Sequence, residues 1–101
     1  MADVLVSAVI PTYNHRELVR RCLESLLHQT IASQIEIIVI DDGSADGTKE
    51  MLEGAEFPHI VYIRGDREGP PKARNKGIDR SRAALVAFID DDIVCKEDCF
   101  A

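Results

Sequence analysis

Asp90, Asp91 and Asp92 stand side by side in AFIDDDIV, directly after an apolar run. Adjacent carboxylates repel one another, so at neutral pH such a cluster must share a proton, spread into solvent or bind a cation. A second acidic group, Asp41 and Asp42 before Gly43 and Ser44, also follows an apolar run, IEIIVI. Carboxylates cannot hold phosphate directly. They can do so through Mg²⁺ or Mn²⁺, whose oxygen ligands are typically one or two carboxylates plus the phosphates of a substrate. If the backbone stays extended through the cluster, Asp90 and Asp92 point to one side and Asp91 to the other. One face can then bind a metal while the remaining carboxylate contacts a hydroxyl. The plainer readings are an Asx turn for Asp41 with Gly43 and Ser44, and a solvated acidic loop for residues 90–92.

These groups need elements to position them, and the hydrophobic pattern supplies an alternation of strands and helices. VLVSAVI (4–10) is apolar on both faces and β-branched, as in a buried parallel strand, and Pro11 should end it. Asn14 is placed to cap a helix, with Glu17 three residues on as the partner of a capping box. Leu18, Val19, Cys22, Leu23, Leu26 and Leu27 then recur at one-turn spacing as a core-facing stripe. IEIIVI (35–40) is a second strand, followed by a short helix from Thr48 to Ala55 with Met51, Leu52 and Ala55 inward. IVYIR (60–64) is a third strand. Pro70 and Pro71 suit the start of a helix whose weak point is Gly77. LVAFI (85–89) is the fourth strand and delivers the aspartates.

Strands separated by helices form parallel neighbours through right-handed crossovers. The expected fold is α/β with three layers: a Rossmann-like, doubly wound parallel sheet of four strands in the order 3-2-1-4 with flanking helices, its switch point between strands 1 and 4. All carboxyl ends of such a sheet lie on one edge, where ligands bind as a rule. Tyr13, Asp42, Arg64 and Asp90 to Asp92 should therefore converge. The turn after strand 1, PTYNHRE, has neither G-x-G-x-x-G nor G-x-x-x-x-G-K-[ST], which argues against a nicotinamide dehydrogenase and a P-loop nucleotidase.

A chain of 101 residues, 46% hydrophobic and 30% charged, fits one soluble domain. No apolar run approaches the ~20 residues needed to span a bilayer, and the opening MADVLVSAVIP lacks the basic start of a signal peptide. The net charge of -6 argues against nucleic acid as a partner. Cys22, Cys95 and Cys99 form no metal or disulfide framework, so a reducing, cytoplasmic setting is the expectation. His15, His28 and His59 have no mutual metal spacing and read as surface or helix-end residues.

In this order and spacing, VSAVIPTYN, IEIIVIDDGSADGT, GPPKARNKGI and LVAFIDDD resemble the amino-terminal half of an inverting nucleotide-sugar glycosyltransferase of the family 2 type, with the GT-A fold. The resemblance covers nearly the whole chain. It implies that Pro11, Thr12 and Tyr13 form part of the nucleotide site, with Pro11 and Tyr13 flanking the base, and that Asp42 accepts a hydrogen bond from the base. It also implies that Asp91 or Asp90 contacts the ribose and that Asp92, with Asp90, binds Mg²⁺ or Mn²⁺ at the diphosphate. Lys72, Arg74 and Asn75 match the block of further donor contacts. The implied partners are a nucleotide-diphosphate sugar, most commonly of uridine, and an unidentified sugar, lipid-linked or polysaccharide acceptor. The implied location is the cytoplasm or the inner face of a membrane.

Catalytic domains of that family are about twice this length, with the acceptor half and general base further along. The expectation is a donor-binding part, residues 1–101, that does not turn over alone. Two rivals stand beside it. One is a phosphoacceptor signalling domain, which would carry its acidic pair after strand 1 and its acceptor Asp after strand 3. The other is a non-catalytic nucleotide-binding or assembly module. A fourth strand left at the sheet edge also invites pairing with a second copy.

Overall fold

The computed structural model describes residues 6–28, 34–54, 56–57, 59–83 and 85–94. Residues 4, 5, 55, 95 and 99, on which expectations were also placed, lie outside them. The elements follow as β1 (Val6–Thr12), α1 (Arg16–Leu27), β2 (Ile35–Asp41), α2 (Thr48–Leu52), β3 (Val61–Arg64), α3 (Pro70–Arg80) and β4 (Leu85–Phe88). The sheet order is β3-β2-β1-β4, parallel at every pairing, as the pattern predicts.

Alternation along the two central strands divides the core between the two faces. Ala8 and Ile10 of β1 and Ile37 and Val39 of β2 pack with Val19, Cys22, Leu23 and Leu26 of α1 and Leu52 of α2. Val9, Ile38 and Ile40 face the other way, onto Ala73 of α3. Two crossovers thus run over one face and the third returns over the opposite face, which places β4 beside β1 and opens the switch point there. Among the described residues no helix is long and apolar enough to cross a membrane.

Four local expectations need correcting. β1 does not stop at Pro11 but runs to Thr12, because β2 pairs with it as far as Thr12 and Asp41. Pro11 acts on the other flank: it has no N–H to donate, and the β1–β4 ladder ends with Ile89 N–H donating to the Val9 carbonyl at 3.0 Å. The sheet is therefore unzipped beside Pro11. The Asn14–Glu17 capping box does not form, since α1 starts at Arg16 and Asp46, from the β2–α2 loop, accepts from the Arg16 N–H at 3.0 Å. Glu17 pairs with Arg20 instead. The α1 stripe is narrower than its spacing suggests, for Leu18 and Leu27 are 40% and 45% exposed. Gly77 is a close approach rather than a weak point: a Cβ there would lie 2.9 Å from Val9 Cγ2 and closer still to Cγ1.

Candidate functional site

The carboxyl edge of the sheet holds a cavity of about 410 Å³ lined by Pro11, Thr12, Tyr13, His15, Asp42, Arg67, Gly69, Pro70, Ala73 and Asp91. This volume is in the range of small-molecule sites. β1 contributes Pro11 and Thr12 from its unzipped end, the turn beyond it adds Tyr13 and His15, and β2 delivers Asp42.

The segment IDDGSADGT builds the second wall residue by residue. Asp41 is wholly buried and accepts from Ser44 N–H (2.8 Å) and from the Tyr62 hydroxyl (2.6 Å), with the Arg64 guanidinium at 3.4 Å. Its contact with Ser44 is the Asx turn that the sequence allowed. Gly43 takes a left-handed φ of +96° that lets the chain reverse. Ser44 Oγ then accepts from Asn14 N–H at 2.8 Å, and Asn14 Oδ1 accepts from Ala45 N–H at 2.8 Å, locking the β1–α1 turn to the β2–α2 loop.

Asp42 organises the third wall. Its carboxylate accepts from the backbone N–H groups of Glu68 (2.9 Å) and Gly69 (3.0 Å), and its carbonyl accepts from Arg67 N–H at 3.2 Å. The loop between β3 and α3 is thereby pinned, with Arg67 at a left-handed φ of +58° and its guanidinium 4.2 Å from the centre of the Tyr13 ring. Carboxylate oxygens have further lone pairs, so Asp42 can still accept from a bound group.

The backbone turns at the aspartate cluster, with Ile93 N–H donating to the Asp90 carbonyl at 3.1 Å, so the extended arrangement does not reach it. Asp91 faces the cavity and accepts from Thr12 Oγ1 (2.8 Å), and its Oδ2 is 2.8 Å from His15 Nδ1. Asp90 and Asp92 are exposed, and among the described residues their carboxylates make no hydrogen bond or ion pair. Such unengaged carboxylates suit Mg²⁺ or Mn²⁺ when a phosphate supplies further oxygens. Among the described residues no group of three or more His, Cys, Asp or Glu could hold a metal unaided.

The other expected residues fall outside the cavity. Lys72 lies 3.6 Å from Glu68, which also accepts from Lys76 at 2.5 Å. Both ion pairs hold the Glu68 carboxyl below its ordinary range, the hydrogen bond from Lys76 foremost. Arg74 and Asn75 are exposed on α3 and do not line the cavity. Arg64 is drawn to Asp41 and to the Ser44 carbonyl, on the far side of β2. His15, read from sequence as a surface or helix-end residue, instead lines the cavity beside Asp91, and Arg67 was not singled out by sequence. Their position was nevertheless a usable signal, since each follows a strand that ends at this edge.

The description Glycosyl transferase family 2 matches residues 7–101. The chain belongs to this family. Among curated members, it is 38% identical over 91 residues to glycosyltransferase AglE of Haloferax volcanii, covering 86% of this chain and 30% of AglE. It is 35% identical over 100 residues to glycosyltransferase GlyA of Streptococcus pneumoniae, covering 97% of this chain and 14% of GlyA. The chain thus spans less than a third of these relatives.

Solved structures of family-like chains agree. TarS of Staphylococcus aureus, residues 1–349, in complex with UDP superposes with a TM-score of 0.83 at 26% identity, over 93% of this chain and 29% of TarS. The same protein in complex with UDP-GlcNAc gives 0.78 at 28% identity, over 87% and 26%. The mannosyltransferase PcManGT of Pyrobaculum calidifontis, solved with GDP-Man and Mn²⁺, gives 0.80 at 23% identity over 91% of this chain and 28% of that one, and shows the shared GT-A fold.

Proposed function

We propose that these residues form the donor-binding part of an inverting, metal-assisted glycosyltransferase that takes a hexose from a nucleotide diphosphate, uridine diphosphate in the first instance. The observation that carries this reading is the convergence of Tyr13, Asp42, Arg67 and Asp91 on one cavity at the switch point of the sheet. It is supported by TarS, whose structures contain UDP and UDP-GlcNAc. The aromatic ring of Tyr13 offers a stacking face for a base. Asp42 holds the loop that closes the opposite wall and has lone pairs left for a base N–H. Asp91, steadied by Thr12 and His15, offers a carboxylate to a ribose hydroxyl.

Asp90 and Asp92 would hold Mg²⁺ or Mn²⁺ together with the diphosphate oxygens. When bound, the cation would stabilise the charge that develops on the departing diphosphate. In the transfer, the bond from the anomeric carbon to the diphosphate breaks as an acceptor hydroxyl attacks from the opposite side, and the hydroxyl proton passes to a general base. None of the lining residues is assigned as that base. The acceptor is a sugar, free or carried on a lipid or polysaccharide.

Backbone amide NMR tests the reading. Adding UDP with Mg²⁺ should shift the Tyr13, Asp42 and Gly69 signals together, and Asp92→Ala should remove the dependence on Mg²⁺. Shifts confined to the opposite end of the sheet, or none, would overturn it. We also propose that β4 pairs with a second copy. Among the described residues its one neighbour in the sheet is β1, and Leu85 and Phe88 are 66% and 48% exposed. A monomeric mass by light scattering at high concentration would rule this out.

A further inference from the structure

A second recess, of about 280 Å³, lies behind the β2–α2 loop and is lined by Ser44, Ala45, Gly47, Lys49, Glu50 and Arg64. It shares no lining residue with the cavity at the switch point. Its volume falls below the range of about 300–1,000 Å³ usual for small-molecule sites, which suits a small ion or a single group. Two cations line it and a third stands against Gly47. Arg64 is aimed by its partners: Nη1 donates to Asp41 Oδ2 and to the Tyr62 hydroxyl, both at 3.4 Å, and Nη2 donates to the Ser44 carbonyl at 3.1 Å. A guanidinium has five N–H groups, so Nε–H and one Nη2–H are left over. Lys49 is exposed, and among the described residues its ammonium has no hydrogen bond or ion pair. Arg16 reaches over from α1: a Cβ on Gly47, whose φ is +92°, would lie 3.0 Å from Arg16 Nη1. Of the nearby acids, Asp41 already accepts from Ser44 N–H and the Tyr62 hydroxyl, and Asp46 from Arg16 N–H and from Thr48. Glu50 is the one carboxylate among the described lining residues.

We propose that this recess binds a phosphate group, held by the two remaining N–H groups of Arg64 and by the Lys49 ammonium. The site is separate from the donor cavity and stands independently of the donor-site reading above. A guanidinium grips phosphate through paired N–H donors, and a lysine adds a compact charge on a flexible stem. A metal cation would meet like charges here, and no lining residue offers an aromatic face to a base. A phosphate in this position bridges β3, through Arg64, to α2, through Lys49. It also sits behind the loop that Ser44 and Ala45 tie to Asn14.

NMR of the backbone amides and arginine Nε–H groups, with inorganic phosphate added and ionic strength held constant with chloride, tests the inference. Saturable shifts should appear at Gly47, Lys49 and the Arg64 Nε–H. Lys49→Gln should weaken binding by about threefold, and Glu50→Gln should tighten it by about as much, the size expected of single exposed charges. Both side chains are exposed, so neither change threatens the fold. Effects of opposite sign also separate a charged site from a general loss of structure. Co-sedimentation with vesicles containing phosphatidic acid tells the source of the group: retention that Lys49→Gln abolishes assigns a lipid head group, and binding in solution alone assigns a free phosphate. Shifts that never saturate, that are confined to Tyr13 and Gly69, or that ignore both substitutions overturn the proposal.

Discussion

Asp42 shows how a side chain can matter to a site without facing the ligand first. Its carboxylate and carbonyl together hold the N–H groups of Arg67, Glu68 and Gly69, so the loop opposite Tyr13 has its shape before anything binds. Charge-assisted hydrogen bonds of this kind contribute about 1.5–3 kcal/mol each. Asp42→Ala should therefore cost UDP affinity about tenfold or more and speed amide exchange at Glu68 and Gly69, while the sheet amides of β1 and β2 keep their protection. Unchanged exchange at those two amides would contradict the organising role. At this scale the acidic clusters were legible in the sequence, but which carboxylate faces the cavity was not. That depends on the turn at residues 90–93, which brings Asp91 to Thr12 and His15 across the switch point.

At the scale of elements, β1 and α3 meet so closely that Gly77 leaves no room for a methyl group against Val9. Ala raises helix propensity by about 1 kcal/mol over Gly, whereas overpacking a core contact costs about 1–3 kcal/mol. The second effect should win, so that Gly77→Ala lowers stability in a denaturant titration by up to about 2 kcal/mol. A stabilised variant would show that the contact yields. The strands and the sheet order were legible because β-branched runs and right-handed crossovers leave little choice. The cap of α1 was not. Its partner, Asp46, lies thirty positions from Arg16, and no local motif such as Asn14 with Glu17 can announce a bond made through tertiary structure. Gly77 is similar, since propensity alone marks a helical glycine as a weakness and only the packed neighbour gives it a purpose.

For the whole molecule, two polar clusters tie the sheet together at opposite ends and set its pH limits. Glu36 is buried between Ser7 Oγ (2.9 Å), Arg82 N–H (3.0 Å) and Arg82 Nε (2.6 Å), joining β1, β2 and the connection into β4. Burial pushes its carboxyl up, but the bonds from Arg82 and Ser7 together bring it below the ordinary 4.5. A lowered folded value means that this stabilisation is present above pH 4.5 and is lost as pH falls through the folded value. Tyr62 behaves in the opposite sense: burial, then its hydrogen bond to Asp41, raises the phenol from 10.0 to about 12. Its contribution is complete below pH 10.0 and is lost as pH rises toward about 12. Melting temperature should thus fall on both sides, with Glu36→Gln flattening the acid limb and Tyr62→Phe the alkaline limb. An unaltered limb in either variant would assign it to other groups. Binding of a nucleotide diphosphate at the carboxyl edge with the help of a divalent cation is open to a single test, titration of the chain with UDP in a calorimeter, first with Mn²⁺ and then with chelator. Saturable binding at one site that weakens when the cation is removed is the predicted result, and the absence of binding in both conditions would contradict it.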